Sequence, residues 1–106
     1  MSDYIDQSLK DALHWDEKPW TPGMGAINVI TESGSKYHID NDGNITGGDH
    51  LPDGGKLNGA VHRQGGPIRL KSVLIGMSME IIRNNSDKLL NNWIVTTSPV
   101  VSVLDG

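Results

Sequence analysis

Ala26-Ile27-Asn28-Val29-Ile30-Thr31-Glu32-Ser33-Gly34-Ser35-Lys36-Tyr37-His38-Ile39 is the stretch that decides the fold class. Ile27 and Val29 alternate with Asn28, and Tyr37 and Ile39 alternate with Lys36 and His38. This is the period of two that sends successive side chains to opposite faces of a strand. Glu32-Ser33-Gly34-Ser35 between the runs, and Asn41-Asp42-Gly43-Asn44 after them, supply the Gly and Asn that turns need where φ is positive. The spacing predicts a meander of two or three strands with His38 facing outward. Asp40-Asn41-Asp42-Gly43-Asn44 also has the oxygen density of a calcium loop. However, Ile45 stands where an EF-hand loop needs its sharp-turn Gly, and no Glu closes the loop, so a hairpin turn is the better reading.

Downstream, residues 68–104 hold most of the aliphatic side chains, interrupted by Gly76, Asn84-Asn85-Ser86-Asp87 and Pro99 at spacings typical of short strands. Four strands are expected here, with Pro99 marking an edge, a strand start or a bulge, because it cannot donate to a ladder. Tyr37, Ile75, Met79, Trp93, Val95 and Val101 are the expected core. Residues 29–40 and 94–105 share a Thr, a Ser and an Asp in register, a weak similarity that composition often produces and to which internal duplication is the alternative. Upstream, Ile5, Leu9, Ala12 and Leu13 recur at helical spacing, which predicts one amphipathic helix over residues 3–14 lidding a face of the sheet. Residues 15–25, with Pro19, Pro22, Gly23 and Gly25, read as a connector pinned to the core by Trp15 and Trp20.

Residues 47–66 carry seven of the 13 glycines and only Leu51, Leu57, Ala60 and Val61 as apolar anchors. They read as a long loop with at most a short strand near residues 57–62, dispensable to the core. Long loops in small domains are disproportionately functional. Arg63 and Arg69 are the expected anchors for a carboxylate or phosphate, which their planar forks suit, with His50, Asp53 and His62 as secondary polar contacts. His50 and His62 would converge if the loop folded back.

At 106 residues the chain is sized for one domain, 1–106, here a small antiparallel β-barrel or sandwich of about six or seven strands plus the N-terminal helix. Nine Lys and Arg against 13 Asp and Glu give a net charge of −4, which argues against bulk nucleic-acid binding. With no cysteine there is no disulfide, thiolate nucleophile or Cys-based zinc site. No His pair has metal-ligand spacing, so neither metal nor cofactor is expected. The paired glycines 47-48, 54-55 and 65-66 suit close approach of an anion, but no P-loop or dinucleotide pattern accompanies them. Ser33, Ser35 and Ser98 lack any nucleophile motif and read as turn chemistry. No apolar run is long enough for a membrane span and residues 1–10 do not form a secretory signal, so the expected location is cytoplasmic.

Thr31-Glu32-Ser33-Gly34-Ser35-Lys36-Tyr37-His38-Ile39-Asp40 and Thr96-Thr97-Ser98-Pro99-Val100-Val101-Ser102-Val103 resemble segments of small β-rich proteins of phages and bacteria. The resemblance implies a strand-turn-strand near the start and a closing strand at the end, and assigns no activity. The expected function is that of a non-catalytic accessory protein or inhibitor that binds or sequesters a host protein or a small anionic, nucleotide-like signal. The alternatives are a virion or assembly component that forms homo-oligomers, and a small enzyme of unassigned reaction.

Overall fold

A computed structural model describes residues 19–85 and 93–106. They form β1 (Ile27–Thr31), β2 (Lys36–Ile39), β3 (Asn44–Gly47), β4 (Gly55–Val61), β5 (Arg69–Leu70), β6 (Ser78–Arg83) and β7 (Ile94–Asp105). Every pairing is antiparallel, in the order β3-β2-β1-β7-β6-β4-β5. β3 also pairs with β4 through Asn44↔Lys56 and Ile45↔Gly55, so six strands close into a barrel and β5 lies against β4 as a seventh. The mainly β expectation holds, as a barrel. No helix lies among the described residues, and the helix expected over 3–14, with His14 and Trp15, falls outside them. Residues 68–104 supply three described strands rather than four.

The first three strands follow the alternation in the sequence: Ile27, Val29, Thr31, Tyr37, Ile39 and Ile45 are buried while Asn28, Lys36, His38 and Thr46 are exposed. The β2–β3 turn closes through Gly43 N–H to the Asp40 carbonyl at 3.0 Å, with Gly43 at φ 90°, as the hairpin reading required. The Asp40 carboxylate accepts from the amides of Asp42 and Asn44, both at 2.9 Å, and from Asn44 Nδ2 at 3.0 Å. Those bonds, led by the two from Asn44, hold its pKa below the usual aspartate value.

The short strand foreseen near residues 57–62 is present as the longer β4, Gly55–Val61, and residues 47–66 are not dispensable to the core as their glycine content suggested. Leu51 is buried, a turn closes with Gly54 N–H to the Leu51 carbonyl at 3.1 Å, and β4 then runs through the barrel wall with Leu57 and Ala60 in the core. Its glycines serve close approach. A Cβ on Gly55 would stand 2.7 Å from Ile81 Cγ2 and 2.8 Å from the Ile82 carbonyl, and one on Gly59 would strike the Arg69 carbonyl. Along β4 and β6 the register slips by one residue at Asn58, which is why Leu57 and Ala60 point inward three residues apart.

The twelve-residue β7 pairs with β6 through its first half and with β1 through its second. Two irregularities mark the transfer: Thr97 and Ser98 together oppose Met79, and Val101 is surplus between Val100 and Ser102. Inward positions are accordingly Val95, Thr97, Val100 and Val103. Val101, expected in the core, is 51% exposed because it is the extra residue of a bulge. Pro99 sits beside the first bulge, one of the settings foreseen for it. β7 is a single strand whereas residues 29–40 form a hairpin, so the similarity between the two segments is not a structural repeat.

Tyr37 and Met79 are buried as expected; Ile75 and Val95 pack partly against the core, and Trp93 is half-buried. Trp20 is fully buried and exchanges two backbone hydrogen bonds of 2.9 Å with Val73, while its indole N–H donates to the Gly25 carbonyl at 2.8 Å. The connector is thus pinned at Trp20. Among the described residues no buried side-chain polar atom lacks a hydrogen-bond partner.

Candidate functional site

β4 separates the five residues singled out from the sequence. Its seven extended residues put roughly 20 Å between the turn containing His50 and Asp53 and the segment containing His62 and Arg63. His50 and His62 therefore do not converge. All five are exposed, and Asp53 contributes its carbonyl to Asn84 Nδ2 at 3.2 Å. Arg69 stands on β5 opposite Ala60.

His62 and Arg63 do share a site. The chain leaving β4 turns through Gly65 N–H to the His62 carbonyl at 3.0 Å, and His62, Arg63, Gln64 and Gly65 face Gly76 and Pro99 across an open depression of about 520 Å³. The β1–β2 turn is fastened to the same place. Glu32 N–H donates to the Pro99 carbonyl at 2.8 Å, Ser33 N–H to Ser98 Oγ at 3.0 Å, and Ser98 Oγ to Ser33 Oγ at 3.0 Å. These contacts use the bulged centre of β7, whose irregular backbone leaves a carbonyl and a hydroxyl for the turn.

Arg63 Nη2 donates to both Glu32 carboxylate oxygens at 3.3 Å, with the two side chains 62% and 57% exposed. A single nitrogen straddling the carboxylate is not the two-nitrogen fork that makes Arg–carboxylate pairs strong, so the other guanidinium N–H groups remain available to a second anion. Glu32 and Ser98 were not among the residues singled out. Glu32 is 31 positions from Arg63, and no local pattern joins them.

Charge divides along the chain in a way the net value conceals. In residues 19–53, Glu32, Asp40, Asp42, Asp49 and Asp53 stand against Lys36 alone; in residues 54–85, Lys56, Arg63, Arg69, Lys71 and Arg83 stand against Glu80 alone. The β1–β2–β3 half is therefore acidic and the β4–β5–β6 half basic. On the acidic half, burial chiefly, and Asp49 secondarily, raise the Tyr37 pKa above the ordinary tyrosine value, with a hydrogen bond from Ser35 opposing them.

No group of three or more His, Asp or Glu side chains that could hold a metal ion occurs among the described residues. No helix among them is long and apolar enough to cross a membrane. No family model, curated protein or solved structure matches the chain.

Proposed function

We propose that this protein is a non-catalytic binding module whose depression beside Arg63 receives an anionic group, a carboxylate or a phosphate, from its partner. The observation that carries this reading is the Arg63–Glu32 pair: an exposed guanidinium, engaged through one nitrogen, at the rim of an open hollow. An incoming anion would take the unused N–H groups, with His62 and Gln64 placed beside it. Pro99 lines the hollow from the bulged centre of β7, and the β1–β2 turn bonded to it helps to hold it in place, which limits the ordering cost on binding. Such occupancy would sequester a nucleotide-like signal or block a host protein.

The test is a thermal melt of the full chain with a panel of nucleoside triphosphates and cyclic dinucleotides, alongside affinity capture from bacterial lysate, each repeated with Arg63→Ala. A ligand at about 100 times its Kd stabilises the native state by about 2.7 kcal/mol. Stabilisation or capture that Arg63→Ala abolishes supports the reading, with the first pointing to a phosphate and the second to a protein carboxylate. Binding that is unaffected by Arg63→Ala, or absent in both assays, overturns it.

A further inference from the structure

We infer that the anion received beside Arg63 is a carboxylate, an inference that rests on the proposed role of the hollow, and that Glu32 denies the place to a doubly charged phosphate.

Charge is the first ground. Among the described residues at the hollow, Arg63 and its partner Glu32 carry the formal charges; with His62 neutral, Gln64, Gly65, Gly76 and Pro99 add none. The pair therefore cancels. A lone arginine attracts a dianion twice as strongly as a monoanion, but beside a carboxylate each further charge on the ligand is repelled nearly as much as it is attracted. The dianion also gives up more hydration on binding. A singly charged ligand thus loses least. Glu32 is held in this position by its backbone: its N–H is bonded to the Pro99 carbonyl at 2.8 Å, and the next residue, Ser33, donates its N–H to Ser98 Oγ at 3.0 Å. Its carboxylate accordingly stays within reach of the guanidinium, at 3.3 Å from Nη2.

Donors are the second ground. Phosphate sites are commonly cradles of backbone N–H groups. Here both glycines at the hollow spend theirs within the fold, Gly65 on the His62 carbonyl at 3.0 Å and Gly76 on the Val100 carbonyl at 2.8 Å, and Pro99 has none. The side-chain N–H groups of Arg63 and Gln64 suit the coplanar oxygens of a carboxylate. A phosphodiester is also singly charged, but among the described residues no Trp or Tyr lines the hollow to stack against the base of a nucleotide.

The test is a titration of the full chain at about pH 8, where ordinary imidazoles are uncharged. The probes are N-acetylglycine, the α-amide of N-acetylglutamate, dimethyl phosphate and methyl phosphate, at constant ionic strength. The readout is the set of proton–carbon shifts of Arg63 Cδ and of Gly65 and Gly76 Cα. Both carboxylates should bind more tightly than either phosphate and should lose their binding in Arg63→Ala; the tighter of the two tells a chain terminus from a side chain as the source. With Glu32 about 6 Å from the ligand and salt screening included, Glu32→Gln should tighten each carboxylate about twofold and methyl phosphate about fourfold. A preference of the unaltered chain for methyl phosphate or dimethyl phosphate overturns the inference while leaving the hollow an anion site. So does a Glu32→Gln variant that tightens singly and doubly charged probes alike. Shifts that persist in Arg63→Ala, or binding of none of the probes, overturn the inference together with the proposed role of the hollow.

Discussion

β1 and β2 meet through four residue pairs in unbroken register, whereas β4 and β6 meet through a register that slips at Asn58. The first half of the barrel joins regular strands through tight turns and carries an acidic surface. The second half joins irregular strands, brings β4 and β5 together through a missing side chain at Gly59, and carries a basic surface. Both halves surround one core, in which Ile27, Val29 and Ile39 touch the same cluster as Leu57, Met79 and Ile81. A regular strand can thus be built from periodic side chains, while a bulged one is built from the places where side chains are absent.

The largest effect should come from the side chain that makes the second half indispensable. Leu57→Ala should lower the unfolding free energy by about 3 kcal/mol, as much as Ile39→Ala on the other half, since both side chains are almost wholly buried. Chemical denaturation of the two variants tests this. An unchanged midpoint for Leu57→Ala would return residues 47–66 to the status of a loop.

Next is a pair of glycines. Gly59→Ala places a methyl against the Arg69 carbonyl and should cost about 2–3 kcal/mol through overpacking of backbone that cannot yield. Gly34→Ala in the β1–β2 turn meets nothing within 4 Å and bears only the strain of φ 90°, about 1 kcal/mol. Melting temperatures of the two variants should fall in that order, and the reverse order would break the contrast between close contact and turn.

The β2–β3 turn on the acidic half should show a pH dependence of its own. Asp40 has a lowered pKa in the folded chain, so its contribution is present above the ordinary aspartate value and is lost as pH falls through the folded one. Amide exchange at Asp42 and Asn44 should accelerate in that acidic window before exchange in β4 does. Asp40→Asn should remove most of the difference.

The smallest effect on stability should be that of Arg63→Ala, within about 0.5 kcal/mol, because the pair with Glu32 is exposed and makes a poor fork. A substantially larger loss would make the pair a structural clamp between the halves instead of a binding element.

The same contrast explains what could be read from the residues alone. Ile27, Val29, Tyr37 and Ile39 keep strict alternation, and Gly34 and Gly43 sit where turns demand them, so this half was legible with its faces assigned correctly. β4 was obscured because glycine content signals a loop unless the neighbour that needs the space is known, and that neighbour, Arg69, is ten residues away. Its bulge also spaces Leu57 and Ala60 by three, which conceals the period of two. Val101 was misassigned for the related reason that a strand with surplus residues changes phase. Of the candidate site, His62 and Arg63 are the residues that side-chain chemistry alone singles out, and both line the depression. The pairing of Arg63 with Glu32, and of Ser33 with Ser98, depends on strand order, which no local pattern encodes.

Strike Ser98 and Val101 from β7 and the remaining ten residues alternate without fault: Val95, Thr97, Val100 and Val103 inward, Thr96, Pro99, Ser102 and Leu104 between them. Each spare residue shifts the alternation by one, the second restoring at Val103 the phase that the first changed; each also adds length on one side, and so the two make the corner around which the strand turns from β6 to β1. A chain lacking both would keep each inward residue inward yet lie flatter, pulling β3 from the two pairs that join it to β4. The product would be an open sheet with two unpaired margins, a template for stacking chain on chain.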